Sequence, residues 1–465
     1  MLAAVTTLPY PNWLNTGNNT WQMVAATLVG LMSVPGLVVL YGGVMQKRWS
    51  VNSMMLTFVA FGITLIVWCL YAYRMGFGTP WHIFGGKGTG LFQNFIGVPA
   101  SILGSHGEQE QGLIPLIGTV TFPQTSLAYF QFVFAAITPI LALGSVLGRV
   151  NFKSWMIFVA IWISLAYSVN AFLLWGGGFF AAHGALDFSG GYVIHLAAGV
   201  TGFVSAAIIG PRLARDREVD APNNLLMVAV GAGILWLGWN GFNGGDPYSA
   251  GVDASVAVVN TNLCTAVAMM AWVFWDMIFR EKPGIIGTVN GMITGLVAIT
   301  PAAGYVNGYG AIALGVIAST VVWMAIRYLS RIPPFNRVDD TLGVIYTHGV
   351  AGLAGGLLVA FFADPHIIGS YIAGTNKASG ASATGLYHGI VYGGNLQLLK
   401  WQILAAIAII IWDGLVTLFA WKLIGVFLPL REPDSVLQVG DPALHGHEVY
   451  PADVATLGSF GATPA

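Results

Sequence analysis

The stretch IHLAAGVTG, residues 194–202, recurs along the chain as THGVAGLAG, residues 347–355. Both copies read H-x-x-A-G-x-x-G and place a histidine, His195 or His348, inside a long apolar run. An ionisable side chain in such a run is costly unless it is paired or faces a cavity. A packed neutral histidine with one hydrogen bond is the alternative at either position. Two neutral imidazoles could instead share one N–H···N hydrogen bond and present their other nitrogen atoms to a narrow pore.

The composition is that of a polytopic membrane protein. Of 465 residues, 56% are hydrophobic and 8% are charged, whereas soluble domains carry about 25% charged residues. The net charge of −1 gives no reason to expect a nucleic-acid partner. The chain has two cysteines, Cys69 and Cys264, no H-E-x-x-H motif and no cysteine–histidine cluster. We therefore expect no disulfide framework, no metal or other cofactor, and no enzyme.

Eleven apolar stretches approach the length of about 20 residues that a helix needs to cross a bilayer. They lie at residues 21–42, 52–73, 126–147, 154–175, 190–210, 224–243, 254–279, 285–303, 309–329, 343–362 and 402–428. Lys and Arg favour the cytoplasmic side, and with an outer N-terminus only four of the 18 lie outside: Arg74, Lys87, Lys377 and Lys400. We expect an outer N-terminus, an inner C-terminus, long outer loops at about 74–125 and 364–400, and a cytoplasmic tail at 431–465.

The histidine motifs divide these spans into two units of five, because the first motif falls on the fifth span and the second on the tenth. An odd number of spans reverses the direction of the second unit, which gives the inverted repeat found in many transport proteins. The expected fold is an all-α integral membrane protein. It has one transmembrane domain, residues 1–430, with repeats at about 20–212 and 223–363 and a final helix at 402–428.

An aspartate lies eight residues before each histidine, Asp187 before His195 and Asp340 before His348. Aspartate is a favourable N-cap residue at the positive end of a helix. Eight helical residues rise about 12 Å. Two such helices that enter a core about 30 Å thick from opposite faces carry their histidines close to its middle. The sequence thus predicts that His195 and His348 meet.

Aromatic side chains cluster near the predicted outer ends of three spans. Phe130 and Phe134 lie one helical turn apart in the third span, and Trp175 ends the fourth. The sixth span ends with Phe242, and Asp246 follows it. The ring faces could bind a cation. An interfacial aromatic belt is the alternative.

These residues lie in motifs by which the chain resembles the ammonium transporter family (Amt/Mep/Rh). The motifs follow the order and spacing of that family over almost the whole chain: LYGGVMQKR (40–48), FQFVFAAIT (130–138), WGGGFFAAHGALDFSGGYVIHLAAG (175–199), GWNGFNGG (238–245), VNTNLCTA (259–266), GMITGLVAITPAAGYV (291–306) and VDDTLGVIYTHGVAGLAGG (338–356). The tryptophan of WGGG makes the chain more similar to the Amt/Mep branch than to the Rh branch.

The resemblance implies a homotrimer in the plasma or inner membrane, with one pore through each subunit. Phe130 and Trp175 would line an outer site that recruits ammonium, and Asp187 would hold this vestibule together and favour a cation there. The Amt/Mep branch usually has a serine at the position of Asp246, and that serine contacts the ion. A carboxylate there would either strengthen the attraction of the cation or turn away to cap a loop.

Below the outer site, the resemblance implies a stacked phenyl gate, Phe134 and Phe242, and a pore lined by His195 and His348. Ammonium can lose a proton, whereas potassium, which is similar in size and charge, cannot. A dry pore makes passage of an intact cation costly. We therefore expect deprotonation of ammonium, conduction of ammonia, net movement of charge, and methylammonium as an analogue. An electroneutral ammonia channel and an ammonium sensor with the same fold are the alternatives.

Two other positions depart from the family. Gly148 stands where the family often has a glutamate before the residue that matches Arg149, and Gly343 stands where it has a second aspartate. The tail motif VGDPALHGHEVY, residues 439–450, is similar to the tail of bacterial members. In those proteins the tail helps to dock a PII-type signal protein, which makes such a protein an expected partner.

Overall fold

The computed structural model describes residues 11–83, 90–104, 107–115, 118–218, 221–279, 281–367 and 387–450. Within this part of the chain the fold is helical, with two short antiparallel strands in the loop predicted at 74–125, β1 (Gln111–Ile114) and β2 (Gly118–Pro123). Lys87, Lys377 and the end of the predicted tail lie outside the described residues.

Ten helices of the described chain are long and apolar enough to cross a membrane. They are α1 (Thr16–Val44), α2 (Lys47–Phe77), α3 (Gln124–Leu143), α4 (Phe152–Ala182), α5 (Gly191–Ile209), α6 (Leu225–Gly244), α7 (Val252–Ile278), α9 (Gly308–Arg331), α10 (Ile345–Phe362) and α11 (Leu396–Gly425). Between α7 and α9 lies α8 (Ile285–Ile299), which is apolar but has only 15 residues. The helical membrane fold is confirmed, whereas the eleven spans and their orientation stay predictions.

The two helices that carry the histidines begin in the same unusual way. A π-helical turn opens α5 at Gly191–Leu196 and α10 at Ile345–Val350. This geometry is rare in proteins as a whole, and where it occurs it is often at a functional site. An aspartate caps each start. The Asp187 carboxylate accepts hydrogen bonds from four backbone N–H groups and the Asp340 carboxylate from two. The N-cap positions themselves are occupied by Gly190 and Val344 rather than by the predicted aspartates, whose carboxylates accept from the first N–H groups of the two helices across the intervening turn.

Helices α5 and α10 cross in backbone contact. A Cβ atom added to Gly199 would overlap the backbone of Gly349. One added to Gly352 would overlap the carbonyl oxygen of Gly191 and lie 3.0 Å from the Cβ atom of His195. Small residues are what allow helices to approach this closely. The crossing therefore fixes how near the two histidine-bearing turns come to each other.

The chain after α11 folds back onto the starts of two membrane helices, α2 and α4. It forms two short helices, α12 (Asp434–Val439) and α13 (Asp441–His445). The buried Asp441 carboxylate accepts hydrogen bonds from the N–H groups of Val51 and Asn52, at 2.8 and 2.9 Å. Its role is that of a helix cap supplied from a distant part of the sequence. The tail is thereby held at the end of the molecule where α2 begins.

The glycine crossing can be tested with one methyl group. We expect Gly199→Ala to destabilise the protein by about 1–3 kcal/mol, because overpacking a close contact forces the backbones apart. The measurement is the thermal unfolding midpoint of the purified protein in detergent. Gly233→Ala in α6 is the matched control, since nothing lies within 4 Å of a Cβ atom at Gly233. Equal midpoints for the two variants would contradict a tight crossing.

Candidate functional site

The two histidines meet inside the protein, as the sequence predicts. Their ring centroids lie 5.6 Å apart at an interplanar angle of 47°. His195 is fully buried and His348 is 7% exposed. The N–H···N hydrogen bond that the pair could share is not formed, because neither ring nitrogen of His195 has a partner among the described residues. Nδ1 of His348 lies 3.0 Å from the hydroxyl oxygen of Thr347.

The imidazole of His195 packs against aromatic faces. It stacks on Trp239 at 5.4 Å and 17°, and lies 6.1 Å from the ring of Phe242. The Trp239 indole is held in turn by a hydrogen bond from Nε1 to the Thr300 hydroxyl, at 2.9 Å. A buried polar atom without a partner costs free energy. The free nitrogens of His195 are therefore a place where a small hydrogen-bonding molecule would be stabilised.

A column of aromatic rings leads from the histidines toward the predicted outer face. Phe134 of α3 and Phe242 of α6, here called the phenyl pair, stack at 4.2 Å and 26°. The ring of Phe130 follows at 4.7 Å from Phe134, and Trp175 lies edge-on to Phe134 at 6.2 Å. All three phenylalanines are fully buried, whereas Trp175 is partly exposed. The structure thus brings the predicted aromatic residues together, which a scattered interfacial belt would not do.

Asp187 positions two parts of this column at once. Its side chain caps α5, and its carbonyl oxygen accepts a hydrogen bond from Nε1 of Trp175 at 2.6 Å. Trp175 follows the regular helical segment Ser168–Leu174 within α4, so this bond holds the indole where the regular turns of α4 are interrupted. Burial raises the pKa of the Asp187 carboxyl to about 6, although the four N–H donors act to lower it. We infer that Asp187 is a positioning residue.

Asp246 lies directly beyond the end of α6, buried beside the same column. It is 3% exposed, and its Oδ2 atom has no hydrogen-bond partner among the described residues. Burial raises the pKa of this carboxyl well above its usual value, the Ser189 hydroxyl lowers it, and the charge of Asp187 raises it. The buried carboxyl is therefore expected to hold a proton more readily than an exposed aspartate does.

The sequence reading missed three residues beside this site. The Tyr248 ring packs edge-on to Phe130 at 6.1 Å, and its hydroxyl accepts a hydrogen bond from Nε2 of Gln131 at 2.9 Å. Tyr167 is fully buried, and its hydroxyl has no partner within the described chain. Gln131 could have been found from its place next to Phe130, but no local pattern distinguishes Tyr167 from other aromatic residues of its helix.

On the other side of the histidine pair lies an apolar cavity of about 200 Å³. It is bordered by His348 and Trp239 but not by the phenyl pair, and most of its other lining side chains are aliphatic, among them Leu40 and Val228. A narrow apolar space of this kind suits a small neutral molecule better than an ion, because an ion would lose its hydration there without compensation.

The chain is similar in sequence to known ammonium transporters. The sequence pattern of the Ammonium Transporter Family matches residues 20–450. Ammonium transporter 3 member 1 of Oryza sativa subsp. japonica is 46% identical over 451 residues, which are 95% of this chain and 88% of that protein. Ammonium transporter 2 of Arabidopsis thaliana is 45% identical over 444 residues, which are 95% of this chain and 89% of that protein.

Solved structures also match. The crystal structure of Mep2 from Saccharomyces cerevisiae superposes with a TM-score of 0.76 at 27% identity, over 91% of this chain and 89% of that chain. Mep2 from Candida albicans gives a TM-score of 0.75 at 26% identity, over 91% and 88% of the two chains.

The cap formed by Asp187 can be tested by its removal. We expect Asp187→Ala to destabilise the protein by about 2 kcal/mol or more, because several buried N–H groups lose their acceptor. The measurement is thermal unfolding in detergent. Asn395→Ala is the matched control, since Asn395 caps an exposed helix end and, among the described residues, accepts only from Gln397 N–H. A smaller loss for Asp187→Ala than for Asn395→Ala would contradict the positioning role.

Proposed function

The chain belongs to the Ammonium Transporter Family, and from that premise we propose that it binds ammonium at an outer aromatic site, removes a proton and conducts ammonia past His195 and His348. The observation that carries the proposal is the placement of a fully buried imidazole with two free nitrogens directly below a stacked phenyl pair. The proposed substrate is ammonium, with methylammonium as its analogue.

The outer site of this proposal consists of Phe130, Trp175 and Asp246. Phenyl and indole faces attract a cation through their ring quadrupoles, and Trp175 is reachable because it is only partly buried. The carboxyl groups of Asp187 and Asp246 add negative charge nearby when they are ionised. Together these groups would concentrate ammonium, but they would attract potassium as well.

Selection between the two cations falls to the phenyl pair and the histidines. Phe134 and Phe242 stack at 4.2 Å, and their phenyl rings carry no polar atom that could replace a hydration shell, so an intact cation pays a large desolvation cost there. Ammonia is neutral and can form hydrogen bonds with the free nitrogens of His195. Potassium has no proton to lose and stops at the pair. We propose that the proton follows by its own route, which gives net movement of charge.

Assembly and topology are also part of the proposal. We propose a homotrimer of subunits with eleven spans, an inverted repeat, an outer N-terminus and a cytoplasmic tail from residue 431, in the plasma or inner membrane. The tail motif at 439–450 supports this topology, because its Asp441 binds the start of α2 next to the basic residues Lys47 and Arg48. A PII-type signal protein is the partner proposed for this surface.

Transport and charge movement are tested together in liposomes that contain the purified protein. We expect an ammonium gradient to evoke a current that an equal potassium gradient does not evoke, because only ammonium can give up a proton at the phenyl pair. Empty liposomes are the control. Internal alkalinisation without current would instead identify an electroneutral ammonia channel. Binding without either response would identify a sensor.

The histidine pair is tested by replacing both rings with apolar side chains. In the double variant His195→Leu and His348→Leu, we expect ammonium transport to be lost or its selectivity over potassium to change, because ammonia loses its hydrogen-bonding partners. The measurement is the ammonium and potassium current in the same liposomes. His183→Leu is the control, since this histidine lies outside the column and, within the described part of the chain, its Nδ1 bonds only to the carbonyl oxygen of Phe179. Unchanged transport and selectivity in the double variant would exclude the proposed role.

A further inference from the structure

The two buried carboxyl groups near the outer site differ in what their oxygen atoms bind. Both oxygens of Asp187 are occupied, because Oδ1 accepts from Gly190 and Gly191 N–H, and Oδ2 from Tyr192 and Val193 N–H. Asp246 is equally buried, but its Oδ2 has no partner among the described residues. Hydrogen bonds from N–H groups favour the charged form of a carboxylate, so the four bonds to Asp187 act against uptake of a proton there, opposite to the effect of its burial. Of the two groups, only Asp246 has an oxygen free to take a proton.

The chain around Asp246 touches the rings of the outer site. A Cβ atom added to Gly245 would overlap the Phe130 ring, and the ring of Tyr248 packs against Phe130 at 6.1 Å. Asp246 also follows Phe242 of the phenyl pair by four residues, which is about one helical turn. Gly245 and Tyr248, on either side of Asp246 in the chain, thus place it beside the outer site and about one turn from Phe242.

The charges around Asp246 favour uptake of a proton. The titratable groups that interact with it are Asp187 and Tyr167, and no cationic side chain of the described residues is paired with it. Burial raises the pKa of the carboxyl, and the neighbouring Asp187 charge acts in the same direction. A proton taken up by Asp246 removes one of two like charges in a buried space.

We propose that Asp246 is the proton acceptor for ammonium at the entrance of the phenyl pair. An N–H bond of ammonium breaks, its electron pair stays on nitrogen, and an O–H bond forms at Oδ2 of Asp246. The products are ammonia and a neutral carboxylic acid, so that charge and atoms balance. Ammonia enters the pore, and the proton remains on the outer side of the phenyl pair until it leaves Asp246.

This inference rests on the proposed function and deepens it, because it assigns the deprotonation step to one side chain. A serine, which the resemblance leads one to expect at this position, could bind the ion but is far too weak a base to keep its proton. Since Oδ2 is closed off from water in this conformation, a shift of neighbouring side chains must expose it to the ion. Asp246 is then a group that reacts with the substrate as well as attracting it.

The experiment measures ammonium flux into liposomes as a function of ammonium concentration and external pH for the wild type, Asp246→Asn, Asp246→Ser and Asp246→Glu. If Asp246 accepts the proton, its replacement by Asn or Ser lowers the maximal flux by about 100-fold, the size of effect typical of a lost general base. The Glu variant keeps a carboxyl and retains a larger share of the flux. Thermal unfolding in detergent verifies that each variant is folded.

The pH profile gives a second readout that a purely structural role would not change. A base must be unprotonated to act, so wild-type flux falls as external pH is lowered through the pKa of Asp246. That fall is expected to be absent from the residual flux of folded Asp246→Asn. A folded Asn variant with an unchanged profile would overturn the inference.

The concentration dependence separates proton acceptance from simple attraction. A raised half-saturating concentration with an unchanged maximal flux would mean that Asp246 only attracts the cation, and would also overturn the inference. A wild type without ammonium flux would overturn the proposed function itself, and the inference with it. Loss of flux in the Asn and Ser variants with rescue by Glu supports the assignment.

Discussion

The close crossing of α5 and α10 is the constraint on which the rest of the site depends. At Gly199 and Gly349 the backbones touch with no room for a Cβ atom, and at Gly352 and Gly191 they do so again. Because each helix carries its histidine within a turn of these contacts, the imidazoles come to 5.6 Å from each other. A wider crossing would leave space for water between the two imidazole rings. The dry pore of the proposed mechanism requires that no water enters there.

A helix that begins inside a membrane protein must find acceptors for its first N–H groups, since no water reaches them. The two histidine-bearing helices, α5 and α10, meet this need with the same residue type but to different degrees. Asp187 satisfies four N–H groups and is also bonded to Trp175 through its carbonyl oxygen, whereas Asp340 satisfies two. The start of α5 is thus held by more hydrogen bonds than the start of α10, and both oxygens of the Asp187 carboxylate are used for this.

The two buried acidic residues, Asp187 and Asp246, therefore have different roles. Both carboxylate oxygens of Asp187 accept N–H hydrogen bonds at the start of α5, whereas Oδ2 of Asp246, beyond the end of α6, has no partner among the described residues. This arrangement keeps negative charge near Trp175 and Phe130. Asp187 supports the fold, and Asp246 is the group proposed to react with the substrate. A cap that gained and lost a proton would weaken and restore the start of α5 during each turnover.

The sequence alone determined the features that depend on short spacings: the duplicated motif, the aspartate caps eight residues before each histidine, the neighbouring Phe130 and Phe134, and the expectation that the histidines meet. Helical periodicity and the thickness of a bilayer are enough for these. Only the tertiary structure decided that His195 stacks on Trp239 with both nitrogens free, that Trp175 bonds to the Asp187 carbonyl, and that Asp246 lies near Tyr167 and Ser189. Those contacts join helices far apart in the chain, and side-chain packing rather than any local pattern sets them.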